Sequence, residues 1–198
     1  MEKYIFDELK RVLFHEVGHY IAYNISNRDK IGFETKEIKI HRCNPHSSRF
    51  CGQFTPKVPV AYNIVNFGID RLPYALTNSI YGCIFQTAFF NQHMDLIECL
   101  KSFGVEDILF FNYHIQRLGK KDTKEQIFIL YNNIITLLKE NNLNDLNDLF
   151  DEGIFIEVET DVFIINLELL EKRTKKIISN HISHYEALIE EIILLFKD

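Results

Sequence analysis

Phe14-His15-Glu16-Val17-Gly18-His19-Tyr20 is the stretch around which the chain is organised. It contains a complete H-E-x-x-H, His15 to His19. On a helix, residues four apart lie on one face, so both imidazoles reach the same point. Two histidines at this spacing suit a single Zn2+. Glu16 beside them suits a general base that takes a proton from a zinc-bound water. The flanks support a helix, because Leu9, Val12, Leu13, Val17, Tyr20 and Ile21 recur at steps of three and four. Asp7 or Glu8 would fall in its first turn, where the helix dipole favours negative charge. Asn, Ser and Asp over residues 24–27 and just beyond predict its end.

Composition bounds the rest. The chain has 198 residues, of which 46% are hydrophobic and 25% charged, values ordinary for a globular protein with a sizeable core. A single domain over 1–198 is expected, with a metal-site core over 1–120 and a helical C-terminal part over 121–198. The net charge of -6 argues against a nucleic-acid partner. Met1 leads directly into polar, helical sequence without a signal peptide, and no apolar run approaches a membrane span. The expected compartment is therefore cytoplasmic. There, the four cysteines, Cys43, Cys51, Cys83 and Cys99, should be free thiols. Cys43 and Cys51 lie near His41 and His46, but their spacing matches no standard zinc motif and reads as a surface loop.

Downstream, residues 36–41 (KEIKIH) alternate charged and apolar side chains, a strand signal. Asn44, Pro45, Ser47 and Ser48 supply a turn, and residues 50–54 return as a second strand containing Gly52. Pro56 and Pro59 punctuate the exit. Pro73 opens a helix to about Phe90. Gly82 inside that helix is tolerated if another helix packs close there. Residues 91–94 read as a connector, Asp95 opens a further helix that Phe103-Gly104 ends, and residues 106–118 form another, closed by Gly119. Asp122 and Glu125 make a capping box for the next helix. Residues 143–150 form a short polar-apolar segment. Residues 154–165 suit a hairpin turning at Thr160-Asp161. Ser183 and Glu186 make a second capping box, before a last helix through Phe196.

Catalytic zinc usually takes three protein ligands. Ala22 and Ile25 stand where a metzincin needs glycine and histidine. Glu34 and Glu37 lie in or near the strand region, away from the metal face of the first helix. His93, Asp95 and Glu98 remain as candidates, and aspartate at the start of a helix also serves as an N-cap.

The order of these features resembles the peptidase domain of FtsH-type AAA+ proteases. HEVGH is followed by a hairpin, then Tyr81-Gly82-Cys83-Ile84-Phe85-Gln86, then a helix opened by Met94-Asp95-Leu96. That family has H-E-A-G-H, a hairpin, a helix with G-x-x-A-E, and an N-D-[IL] whose aspartate is the third zinc ligand. The resemblance covers residues 14 to about 100 and implies zinc held by His15, His19 and Asp95. Gln86 replaces the family's glutamate and Val17 its alanine. No G-x-x-x-x-G-K-[ST] occurs, so the ATPase domain is missing, and residues 154–165 have no counterpart. The implied protein is mainly α-helical, with a small β-hairpin or sheet near the active site. It would be a zinc metalloendopeptidase acting on peptide or unfolded protein, with Glu16 as the catalytic residue. A separate ATPase partner or a homo-oligomer would fit. The alternatives are an inactive interaction module of the same fold and a metal-dependent hydrolase of non-peptide substrates.

Overall fold

The computed structural model describes residues 3–28, 34–57, 71–90, 93–117, 121–140 and 149–197. Six helices and one small sheet account for most of them. Helix α1 (Lys3–Arg28) is followed by strands β1 (Thr35–Arg42) and β2 (Phe50–Pro56), then by α2 (Leu72–Phe89), α3 (Leu96–Ser102), α4 (Val105–Arg117) and α5 (Thr123–Glu140). Strands β3 (Phe155–Glu159) and β4 (Val162–Ile165) precede the long α6 (Leu167–Lys197). The expectation of a mainly helical protein with a small sheet holds. The expectations for 91–92, 119 and 143–148 and for Pro59 lie outside the described residues.

Helix α1 is the central element. Every residue from Val12 to Ala22 is buried, so the helix is enclosed all round and not merely along one stripe. It packs against α2, α6, β1 and β2. It begins at Lys3, earlier than expected, which moves Glu8 out of the first turn and into an ion pair with Arg11 at 3.0 Å. Against α2 the approach is close. A Cβ on Gly18 would lie 2.5 Å from the Tyr81 carbonyl oxygen and 2.8 Å from the Gly82 Cα. The glycine in α2 is therefore explained by close helix packing.

The four strands are antiparallel in the order β2-β1-β4-β3. The expected hairpin of β1 and β2 is present. Residues 154–165 also form a hairpin, turning at Asp161, whose φ of 59° lies in the left-handed region that aspartate tolerates. Its strand β4 pairs with β1, so the C-terminal part completes the same sheet and is not purely helical. Ile38, Ile40, Phe50, Phe163 and Ile165 are buried with α1 in one core.

Two expectations are corrected. Ser183 and Glu186 do not start a helix, because α6 runs through them. Its buried line of Ile177, His181, Tyr185, Leu188 and Ile192 continues at three- and four-residue steps without a break. The Asn166 side chain accepts the Leu169 N–H at 3.1 Å and caps the true start. Cys43 and Cys51 are not free thiols but form a disulfide. Register decides this: Arg42 pairs with Phe50 and His41 with Cys51, and the Cys43 N–H donates to the Arg49 carbonyl at 3.1 Å. The two cysteines thus meet across the mouth of the hairpin. Among the described residues, no helix is long and apolar enough to cross a membrane.

Candidate metal centre

His15 and His19 project from consecutive turns of α1 toward α2 and α4. Each ring is fixed through its Nδ1. The His15 Nδ1–H donates to Gln86 Oε1 at 3.1 Å, and the His19 Nδ1–H donates to the Asn78 carbonyl at 2.8 Å. Both acceptors belong to α2. With both protons on Nδ1, the two Nε2 atoms carry lone pairs, and they face each other at 3.1 Å. Asp107, in the first turn of α4, directs Oδ2 at the same point. It stands 3.0 Å from His15 Nε2 and 3.6 Å from His19 Nε2.

Three acceptor atoms so close together repel unless a positive charge lies between them. The edges of this triangle are 3.0, 3.1 and 3.6 Å. Two ligands of one tetrahedral zinc, at bond lengths of 2.0–2.1 Å, are separated by about 3.3 Å. The donor set and its dimensions therefore fit zinc. As protein groups alone, the three rely on a proton for the same purpose. Burial opposes protonation of His15 and His19, but Asp107 overcomes it and lifts His15 well above the usual imidazole range and His19 above it. Burial would likewise raise Asp107, yet the two imidazoles hold its carboxyl well below the usual carboxylate range.

Space for this cluster comes from glycine. A Cβ on Gly82 would lie 2.5 Å from His19 Nε2 and 2.8 Å from His15 Nε2. A Cβ on Gly104 would approach Asp107 Oδ2 to 3.0 Å. Glu16 points from α1 toward β2 and is only 4% exposed. Its carboxylate fits because residue 52 is glycine, where a Cβ would lie 2.1 Å from Glu16 Oε1. Burial pushes the Glu16 carboxyl up, and the two imidazoles partly oppose it. A carboxylate so placed is a better proton acceptor near neutral pH than an exposed one.

Of the residues singled out in the sequence, His15, Glu16 and His19 come together. Asp95 does not join them, which corrects the expected ligand set. Asp95 is the N-cap of α3: it accepts the Glu98 N–H at 2.8 Å, and the Glu98 side chain accepts the Asp95 N–H at 3.4 Å. His93, Asp95 and Glu98 are all exposed, whereas the imidazoles are 7% exposed. Asp107 is instead the carboxylate that reaches both imidazoles. The sequence carries a signal for it, since Asp107-Ile108 is also an aspartate before an aliphatic residue at a helix start. Gln86 has a function as well, as the acceptor that holds the His15 tautomer. The support extends further, because Asn78 accepts the Tyr185 hydroxyl of α6 and donates to Ser26 Oγ of α1 at 3.1 Å.

Comparison with known proteins supplies no relative: no family model, no curated protein and no solved structure matches the chain.

Proposed function

We propose that the chain is a zinc-dependent metallopeptidase, with His15, His19 and Asp107 as the ligands and Glu16 as the general base. The observation that carries the reading is the convergence of two Nε2 lone pairs and one carboxylate oxygen within 3.0–3.6 Å, beside a buried glutamate that makes no part of the triangle. When bound, zinc would supply a Lewis acid that acidifies water and polarises a carbonyl. The work of the chain's own groups follows from their positions. Gln86 and the Asn78 carbonyl orient the imidazoles, and Asp107 completes a set with one open position, as catalytic rather than structural zinc sites have. Glu16 accepts a proton and returns it to the leaving amine.

A peptide substrate suits the surroundings. Strand β2 forms one edge of the sheet, and Gly52 lies within it directly over the Glu16 carboxylate. An extended chain added to that edge would run past the general base, with main-chain hydrogen bonds providing affinity independent of sequence. The order of HEVGH, hairpin and Gly82 helix, which resembles that of FtsH-type peptidases, favours the same chemistry, although the resemblance does not extend to Asp95 as a ligand. The test is cleavage of a mixed peptide library by the zinc-loaded protein and by Glu16→Gln. The variant should keep its zinc and lose hydrolysis by roughly 100- to 10,000-fold, the usual worth of a general base. Equal cleavage by both proteins would remove Glu16 from the mechanism. Zinc binding without cleavage in either would favour an interaction module.

A further inference from the structure

Behind His15, on the side away from His19, lie two buried free thiols that the proposed chemistry does not use, Cys83 of α2 and Cys99 of α3. One ligand atom each from His15, Cys83 and Cys99 falls within 4.8 Å of the others. Cys83 Sγ is 3.9 Å from His15 Nδ1, and Cys99 donates to Gln86 Oε1 at 3.6 Å. For one tetrahedral ion bound to sulfur at about 2.3 Å and nitrogen at about 2.0–2.1 Å, the sulfur–nitrogen separation is about 3.6 Å. Small side-chain adjustments would meet it.

We propose that His15, Cys83 and Cys99 form a second metal site, for a soft cation of the Cd2+ or Cu+ class, and that it competes with the first site for His15. Two sulfurs and one nitrogen select thiophilic ions, whereas two nitrogens and a carboxylate oxygen suit zinc. Exclusion follows from the imidazole proton. In one tautomer Nδ1–H donates to Gln86 and Nε2 is free for the first site. In the other Nε2–H donates to Asp107 Oδ2, across the existing 3.0 Å contact, and Nδ1 is free for the thiol side. A neutral ring offers one lone pair at a time. Binding of Cd2+ releases the two thiol protons to solvent, and the His15 proton moves from Nδ1 to Nε2. The competition rests on the zinc site proposed above, whereas binding of the soft cation by the thiols stands apart from it and from peptidase activity.

The experiment is titration of the full chain, stripped by chelator under non-reducing conditions, with Cd2+ alone. A thiolate-to-cadmium charge-transfer band should grow and saturate at one ion per chain. It should persist in His19→Ala and vanish in the Cys83→Ser, Cys99→Ser double variant. Cadmium NMR of the wild-type chain should show a two-sulfur environment, a readout that needs no variant to fold. With zinc already bound, each Cd2+ taken up should release one zinc. Absence of the band, its survival without Cys83 and Cys99, or an NMR signal from nitrogen and oxygen ligands alone would overturn the site. A chain holding both ions together would overturn the competition.

Discussion

The Nε2 atoms of His15 and His19 are held so near each other that their environment, not their identity alone, defines the centre. Gly82 is the sharpest residue-level test. Alanine there would favour the helix by about 1 kcal/mol on propensity, but its methyl would lie 2.5 Å from His19 Nε2. The steric effect should dominate, because rings whose Nδ1 atoms are tied to α2 cannot retreat without breaking those bonds. Gly82→Ala should lower zinc affinity at least about tenfold, the scale of disturbing a ligand's supporting contacts, as measured by competition with a chromophoric chelator. Unchanged affinity would contradict the packing described for the α1–α2 contact. His15, Glu16 and His19 are legible in the sequence because helical geometry alone brings them together. Asp107 carries the same local signal as Asp95, but it lies 92 residues beyond His15 and only tertiary packing distinguishes the two. Both aspartates stand near a helix start before an aliphatic residue. One is spent on its own capping box, and the other is carried inward by α4.

At the scale of elements, local signals served well wherever the element was bounded by its own residues. Pro73 opens α2, Asp95 opens α3, and alternation marks β1. Local signals failed where an element continued through a motif that resembles a boundary, as α6 does through Ser183 and Glu186. The Cys43–Cys51 bridge belongs to this scale too. Separation along the chain does not reveal it, but the register of β1 with β2 does. Thiol titration of the denatured, unreduced protein should therefore count two thiols, Cys83 and Cys99, rising to four after reduction. Four thiols before reduction would show the hairpin unbridged.

Over the whole molecule, α6 and the second hairpin are integral to the centre, through Tyr185 on Asn78 and β4 on β1. The same long helix carries a pH dependence. His181 is 2% exposed, stacks on Phe89 at 6.3 Å, and burial, with His184 nearby, pushes its pKa down to about 4. Its folded value lies below the unfolded value of about 6.5, so the unfolded chain binds the proton first. The contribution is fully present above about pH 6.5 and is lost as the pH falls toward 4, by on the order of 3 kcal/mol. Denaturant midpoints of the wild type should fall over that window more steeply than those of His181→Leu. Parallel curves would contradict it. The proposed ligand set also spans the fold, since it joins α1 to α4 across 92 residues of chain. It is tested most directly by zinc content, measured by elemental analysis and chelator competition, in Asp107→Asn beside Asp95→Asn. The account predicts that Asp95→Asn binds one zinc as the wild type does, its cap preserved, while Asp107→Asn remains folded and loses the ion. Zinc retained by Asp107→Asn and lost by Asp95→Asn would contradict it.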